Sequence, residues 1–315
     1  MSQNGSLAYI TGTTVSVERR LVWVDREGRE EAIAAAPRAF RYPRVSPDGR
    51  RLALDNVAGE DADIWIWNFA RKTLTRLTFD PGRDIYAAWT PDGLWVAFAS
   101  NRDGTMNLFW KAADGTGAVE RLAESSNPQR PQIFSPDGTM LMFRENDPRT
   151  NADLGVLSID AEGAFEPLLA TAFDEMNLDI SPDGLWLAYE SNESGQSEVY
   201  VRPFPDVDTG RWQISREGGS QPLWAPDGRD LFYLSLTGQL MAVPIETDLF
   251  AFGQTEVVFE KTYSNAGGGR NYDVSPDDKR FLMIKEGGGD GVDATMQVIL
   301  IVNWFEELKR LVPLE

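Results

Sequence analysis

Histidine and cysteine are both absent from this 315-residue sequence, so its chemistry falls to carboxylates, arginines, tyrosines and hydroxyls. That absence removes Ser–His and Cys–His mechanisms, thiolate metal sites and disulfides, and with them the usual proton carrier near neutral pH. What remains is carboxylate-pair chemistry of the glycosidase or lyase kind, which needs two acids at a fixed separation. Asp84, Asp174, Asp179 and Asp273 qualify, because each stands near the start of a strand that a radial fold would turn towards its central channel. Two oxygen-rich runs, Asp206-Val207-Asp208-Thr209-Gly210 and Asp290-Gly291-Val292-Asp293, alternate like calcium ligands but do not complete a twelve-residue loop, and read as turns. Gly267-Gly268-Gly269 and Gly287-Gly288-Gly289 do not open helices, so they are not phosphate cradles. The expectation is a chain with no catalytic residue, no metal and no cofactor.

Charge narrows the partners. Thirty basic against 49 acidic residues leave a net charge of −19, which repels phosphate backbones and argues against nucleic acid. Apolar residues at 42% and charged residues at 25% describe a globular chain rather than a disordered one. The opening Met1-Ser2-Gln3-Asn4-Gly5 has neither the basic nor the apolar part of a signal peptide. The apolar run Val298 to Val302 is far too short to span a bilayer. A soluble chain without direct membrane insertion is expected; the compartment stays open.

Positioning comes from a repeat. Ser46-Pro47-Asp48-Gly49 recurs as Thr90-Pro91-Asp92-Gly93, Ser135-Pro136-Asp137-Gly138, Ser181-Pro182-Asp183-Gly184, Ala225-Pro226-Asp227-Gly228 and Ser275-Pro276-Asp277-Asp278. A worn copy, Ser2-Gln3-Asn4-Gly5, opens the chain. Successive third positions are separated by 44, 44, 45, 46, 44 and 50 residues, the period of a propeller blade. In the complete copies Pro presets φ, Asp caps nearby amides and Gly accepts positive φ. Each unit reads as four short strands, as in Ile85 to Trp89, Trp95-Val96-Ala97-Phe98 and the polar Val119-Glu120-Arg121-Leu122. The predicted fold is an all-β propeller of four-stranded antiparallel blades, with seven blades expected and six as the alternative. It forms one domain over 1–315, in units of about 1–36, 37–79, 80–123, 124–170, 171–216, 217–263 and 264–315. The tail from Trp304 to Val312 reads as an outer strand by register, with a helix as the alternative.

Loops on a rigid ring are where recognition sits. Those leading into the first strand and those joining the second to the third share one face. Arg41, Tyr42, Asp84, Tyr86, Arg130, Asn177, Gln221, Arg270 and Tyr272 lie at these positions and form the predicted binding face for a protein, peptide or small-molecule ligand. Tyr and Arg recur in binding hot spots, although each also has a bland role, packed on the next blade or paired with a carboxylate.

The pattern apolar–Ser-Pro-Asp-Gly–x–x–Leu-Ala-Phe/Tyr is similar to the repeat of TolB and related WD-repeat-like propellers. The blocks Leu21-Val22-Trp23-Val24-Asp25-Arg26-Glu27-Gly28-Arg29-Glu30-Glu31, Tyr42 to Ala53 and Asp63-Ile64-Trp65-Ile66-Trp67, with the ending Asn303 to Leu311, resemble the C-terminal propeller region of bacterial serine/threonine protein kinases. That resemblance implies a sensory or protein-interaction module. The kinase motifs themselves (a Gly-rich loop, His-Arg-Asp and Asp-Phe-Gly) do not occur in this chain. A carbohydrate-active enzyme using channel carboxylates and a purely structural scaffold are the alternatives.

Overall fold

A computed structural model describes residues 7–11, 18–160, 163–247, 250–261, 263–265, 268–287 and 297–301. The repeat turn does what its residues dictate. Ser46 Oγ donates to Asp48 (2.6 Å) and accepts the Arg51 amide (2.9 Å), while Asp48 accepts the Arg50 amide (3.0 Å). Asp92, Asp137, Asp183, Asp227 and Asp277 each accept the amide two residues on in the same way. These carboxylates are therefore turn caps. Each turn reverses an innermost strand into a second strand, and third and outer strands follow.

Blade I is Phe40–Val45, Arg51–Ala58, Asp61–Asn68 and Thr73–Arg76. Blade II is Asp84–Trp89, Trp95–Ser100, Asn107–Ala112 and Glu120–Arg121. Blade III is Gln129–Phe134, Met140–Asp147, Asn151–Ser158 and Phe165–Leu169. Blade IV is Glu175–Ile180, Trp186–Ser191, Glu198–Pro203 and Trp212–Gln213. Blade V is Ser220–Trp224, Asp230–Leu234 and Leu240–Glu246, with Ala251–Phe252 and Glu256–Phe259 both pairing with the last of these.

Blade VI corrects the expected count of seven to six. Tyr272–Val274 and Arg280–Glu286 supply its first two strands, and the chain's early strands Arg19–Asp25 and Glu30–Ala32 supply the other two. The antiparallel register runs from Arg19 opposite Glu286 to Asp25 opposite Arg280. The first and last repeat units are thus two halves of one sheet. The pairing satisfies open edges that an incomplete seventh blade would leave bare. Leu7–Thr11 pairs with Gln297–Ile301 as a separate two-stranded sheet. The worn motif copy and the tail after Ile301 lie outside the described residues.

The core lies between blades, and alternation along the closing strand shows why both sheet faces are apolar. Leu21 and Trp23 pack with Phe40, Leu52, Leu54 and Trp67 of blade I. Val22 and Val24 face the other way, onto Leu223 and Phe232 of blade V. Among the described residues, no helix is long and apolar enough to cross a membrane.

Candidate functional site

Every innermost strand from blade I to blade V carries a register shift before its turn: between Arg41 and Arg44, Ile85 and Ala88, Pro131 and Ile133, Met176 and Asp179, and Ser220 and Leu223. Bulges of this kind re-aim side chains. Four residues at the same place, four before the turn's first residue, have positive φ: Tyr42 (49°), Tyr86 (62°), Asn177 (50°) and Gln221 (56°). For non-glycine residues that conformation costs about 1–2 kcal/mol each, so the surroundings must impose it. Part of that imposition is visible. Asp55 accepts the Tyr86 amide with both oxygens (3.1 and 3.0 Å), and Glu190 accepts the Gln221 amide (3.1 Å). Each carboxylate thereby locks the bulge of the next blade. Asp55 is fully buried, and burial pushes its pKa up to about 8 against the opposing pull of the Tyr86 amide and nearby arginines.

The centre of the ring has two levels. At the upper level Tyr42 and Tyr86 stack with centroids 4.4 Å apart, and the Arg130 guanidinium lies 5.3 Å from the Tyr86 ring centroid. The described segment from Gly268 to Asn271 crosses from blade VI towards the opposite side. The Gly268 carbonyl accepts from Tyr86 Oη of blade II (3.2 Å) and Arg144 of blade III (3.4 Å). A Cβ at Gly269 would sit 2.7 Å from the Tyr86 ring and 3.0 Å from that of Tyr42, so only glycine passes there.

The lower level is an ion network. Arg270 reaches Asp179 of blade IV (3.4 Å) and Asp273 of its own blade (3.5 Å). Asp179 also accepts the Trp224 amide of blade V (2.8 Å), and Asp273 accepts the Val45 amide of blade I (2.6 Å). Arg44 donates to the carbonyls of Pro43 (2.8 Å) and Arg270 (3.0 Å). Burial, reinforced by the neighbouring Arg270 charge, pushes Arg44 down to about 10. Asp179 is shifted upward by burial, with Arg270 opposing. Tyr272 donates to the Gln221 carbonyl (2.7 Å), and burial raises its pKa.

The predicted face is therefore only partly assembled as expected. Arg41, Tyr42, Tyr86 and Arg130 gather around the upper level. Asn177 and Gln221 stand beside Glu190, to which Asn177 donates (2.7 Å). Arg270 and Tyr272 lie below, inside the network. Asp84 is apart: it is buried and paired with Arg102 (3.1 Å). Of the four candidate acids, Asp174 is held by Asn192 (2.8 Å), while Asp179 and Asp273 alone share a partner, and that partner is Arg270. Arg44, Asp55, Arg83, Arg144 and Glu190 were not predicted. For Asp55, Arg144 and Glu190 the signal was a charge where sister units have an apolar residue, as in Leu52-Ala53-Leu54-Asp55 against Val96-Ala97-Phe98-Ala99. Elsewhere, a hollow of about 430 Å³ on blade IV is lined by Phe173, Tyr200 and the Arg211–Glu193 pair. Among the described residues, no group of three or more carboxylates is placed to hold a metal ion.

Comparison with known proteins places this architecture. The family model described as the TolB beta propeller domain matches residues 2–202. An uncharacterized protein of Agrobacterium fabrum, Atu1656, is 30% identical over 166 residues, covering 51% of this chain and 54% of that protein. The Tol-Pal system protein TolB of Helicobacter pylori is 24% identical over 121 residues, covering 38% of this chain and 29% of that protein. The chain therefore spans at most about half the length of these curated relatives. Among solved structures, a TolB candidate of Agrobacterium tumefaciens aligns with a TM-score of 0.70 at 19% identity, covering 86% of this chain and 99% of that one. TolB of Acinetobacter baumannii aligns at 0.60 and 16% identity, covering 90% of this chain and 64% of that one. These structural likenesses carry the fold alone.

Proposed function

This chain belongs to the TolB beta propeller domain family, and from that premise we propose that it is a non-catalytic recognition module that binds a peptide or protein segment at the upper mouth of its channel. One observation carries the reading. One bulged backbone frame, with positive φ four residues before the turn, carries Tyr in blades I and II (Tyr42, Tyr86), Asn in blade IV (Asn177) and Gln in blade V (Gln221), while the same position is Pro131 in blade III and Asn271 in blade VI. A rigid ring with an invariant core and a varied rim is the arrangement that recognition uses. The enzymatic alternative loses support from the same geometry, because Asp179 and Asp273 are committed to backbone amides and Arg270. The finer reading is a sensor region like that of a receptor-type serine/threonine kinase. It rests on the resemblance of the block Leu21 to Glu31 to the propeller region of such kinases.

Panning a random peptide library on the immobilised protein tests the reading. Enriched peptides are expected to lose binding to an Arg41→Ala/Arg130→Ala variant and to keep binding to Arg211→Ala on the rim of blade IV. Enrichment indifferent to the mouth substitutions, or no enrichment, contradicts it.

A further inference from the structure

We infer that the channel mouth is a carboxylate-binding site, in which Arg41, Arg83, Arg130 and Arg144 receive an acid group of a bound peptide beside the stacked Tyr42–Tyr86 pair. The inference rests on the recognition reading above and adds the ligand's chemistry to it.

Placement comes first. The strand register sets Arg41 opposite Asp55 and Arg130 opposite Arg144, the same rung of blades I and III. Arg130 lies over Tyr86, and Arg144 shares the Gly268 carbonyl with Tyr86 Oη. Arg83 immediately precedes the innermost strand of blade II and acts electrostatically on Asp55, as Arg41 does. Arg130 and Arg144 thus adjoin Tyr86, Arg41 acts electrostatically on Tyr42, and Arg83 acts on Asp55, which holds the Tyr86 amide.

Their pairing is incomplete. The Nε atoms of all four are buried without a hydrogen-bond partner. Arg144 is 4% exposed. Among the described residues, none of the four has a carboxylate oxygen within 4.0 Å. The carboxylates on this rung, Asp55 and Glu190, are spent on the Tyr86 and Gln221 amides, and Glu190 also takes Asn177 and Ser197. By contrast, Arg270 one level down has two acids to itself. On this rung Arg41, Arg130 and Arg144 stand against two committed acids, a local positive excess in a chain of net charge −19, with Arg83 two residues further along blade II. Arg144, buried without a counter-charge, is costly to desolvate, and an entering anion relieves that cost.

Guanidinium forks match a carboxylate with two parallel hydrogen bonds. The chain's overall negative field opposes every unit of ligand charge, so a monoanionic carboxylate is repelled less than a dianionic phosphate.

The test uses the full chain and three tetraalanine peptides carrying an uncharged BODIPY label at the N-terminus, read by fluorescence anisotropy. One has a free C-terminal carboxylate, one is amidated, and one is amidated with a glutamate in place of an alanine. The acid-bearing peptides are expected to bind at least about tenfold tighter than the neutral one. Whichever acid form binds tells a chain terminus from an acidic side chain. Arg130→Ala and Arg41→Ala, whose side chains are partly exposed, are each expected to weaken binding about tenfold with an unchanged melting temperature, whereas Arg211→Ala keeps it. Equal binding of the neutral peptide overturns the inference, as does stronger displacement by inorganic phosphate than by acetate. Library panning that returns mouth binders without an acid overturns the inference alone. Panning that returns no mouth binder overturns the recognition reading and the inference together.

Discussion

Replacing Arg270 by methionine removes a guanidinium that ties blades IV and VI together below the mouth. The substitution keeps much of the side chain's volume and deletes only its charge and donors. Two buried carboxylates, Asp179 and Asp273, are then left without the cation that sits 3.4 and 3.5 Å away. Removing one partner of a buried ion pair costs about 3–5 kcal/mol. A chain of 315 residues has an unfolding entropy of about 0.66 kcal/mol/K at about 2.1 cal/mol/K per residue. The melting temperature is therefore expected to fall by about 5–8 °C in scanning calorimetry at pH 7.5. Burial already raises the Asp179 pKa while Arg270 opposes it, so without the arginine the proton is held more tightly. The deficit is expected to shrink at pH 5, where protonation removes the stranded charge, and to shrink likewise when Asp179→Asn and Asp273→Asn are added. A melting temperature within about 1 °C of wild type at pH 7.5, or a deficit that the asparagines deepen, would refute the assignment of Arg270 as a cross-ring strut.

Three further outcomes follow from the same contacts. Asp55 has a folded pKa raised to about 8, so its contribution to stability is complete below about pH 4 and is lost as pH climbs through 8. Asp55→Asn, which keeps an acceptor for the Tyr86 amide, is expected to flatten the fall in melting temperature between pH 5 and pH 8.5. Gly269→Ala drives a methyl against Tyr86 and Tyr42, and overpacking of about 1–3 kcal/mol predicts a melting temperature lower by about 2–5 °C. Asp48→Ala removes a turn cap whose pKa is lowered by the Ser46 hydroxyl. A loss of about 1–3 °C is expected at neutral pH, shrinking as the melts are taken into acid and the wild-type carboxylate is protonated.

The sequence made blades visible because each is built from local signals. Ser-Pro-Asp-Gly fixes a turn through contacts within five residues, and apolar runs such as Trp95 to Phe98 mark the strands on either side. Closure was hidden, because Arg19–Asp25 and Arg280–Glu286 meet only when the two chain ends come together. Nothing local distinguishes half a blade at each end from a whole one with a worn strand. The mouth was half visible: Arg41, Tyr42, Tyr86 and Arg130 come together, but inside the innermost strands rather than in the loops that lead into them. The levels were not readable, since whether Arg270 points to solvent or to Asp179 depends on bulges and on a neighbour some 90 residues away. The 50-residue interval was the overlooked clue. It contains both the extra pairing strand Ala251–Phe252 and the glycine segment that crosses the channel.

Amide hydrogen exchange of the full chain, with and without a saturating peptide recovered from the library, tests recognition at the mouth most directly. Added protection is predicted in peptides covering 40–44, 84–88, 128–132 and 268–272, with the Ser-Pro-Asp-Gly turns at the far end unchanged. Protection confined to those turns, or to the hollow around Phe173 and Arg211, would contradict it.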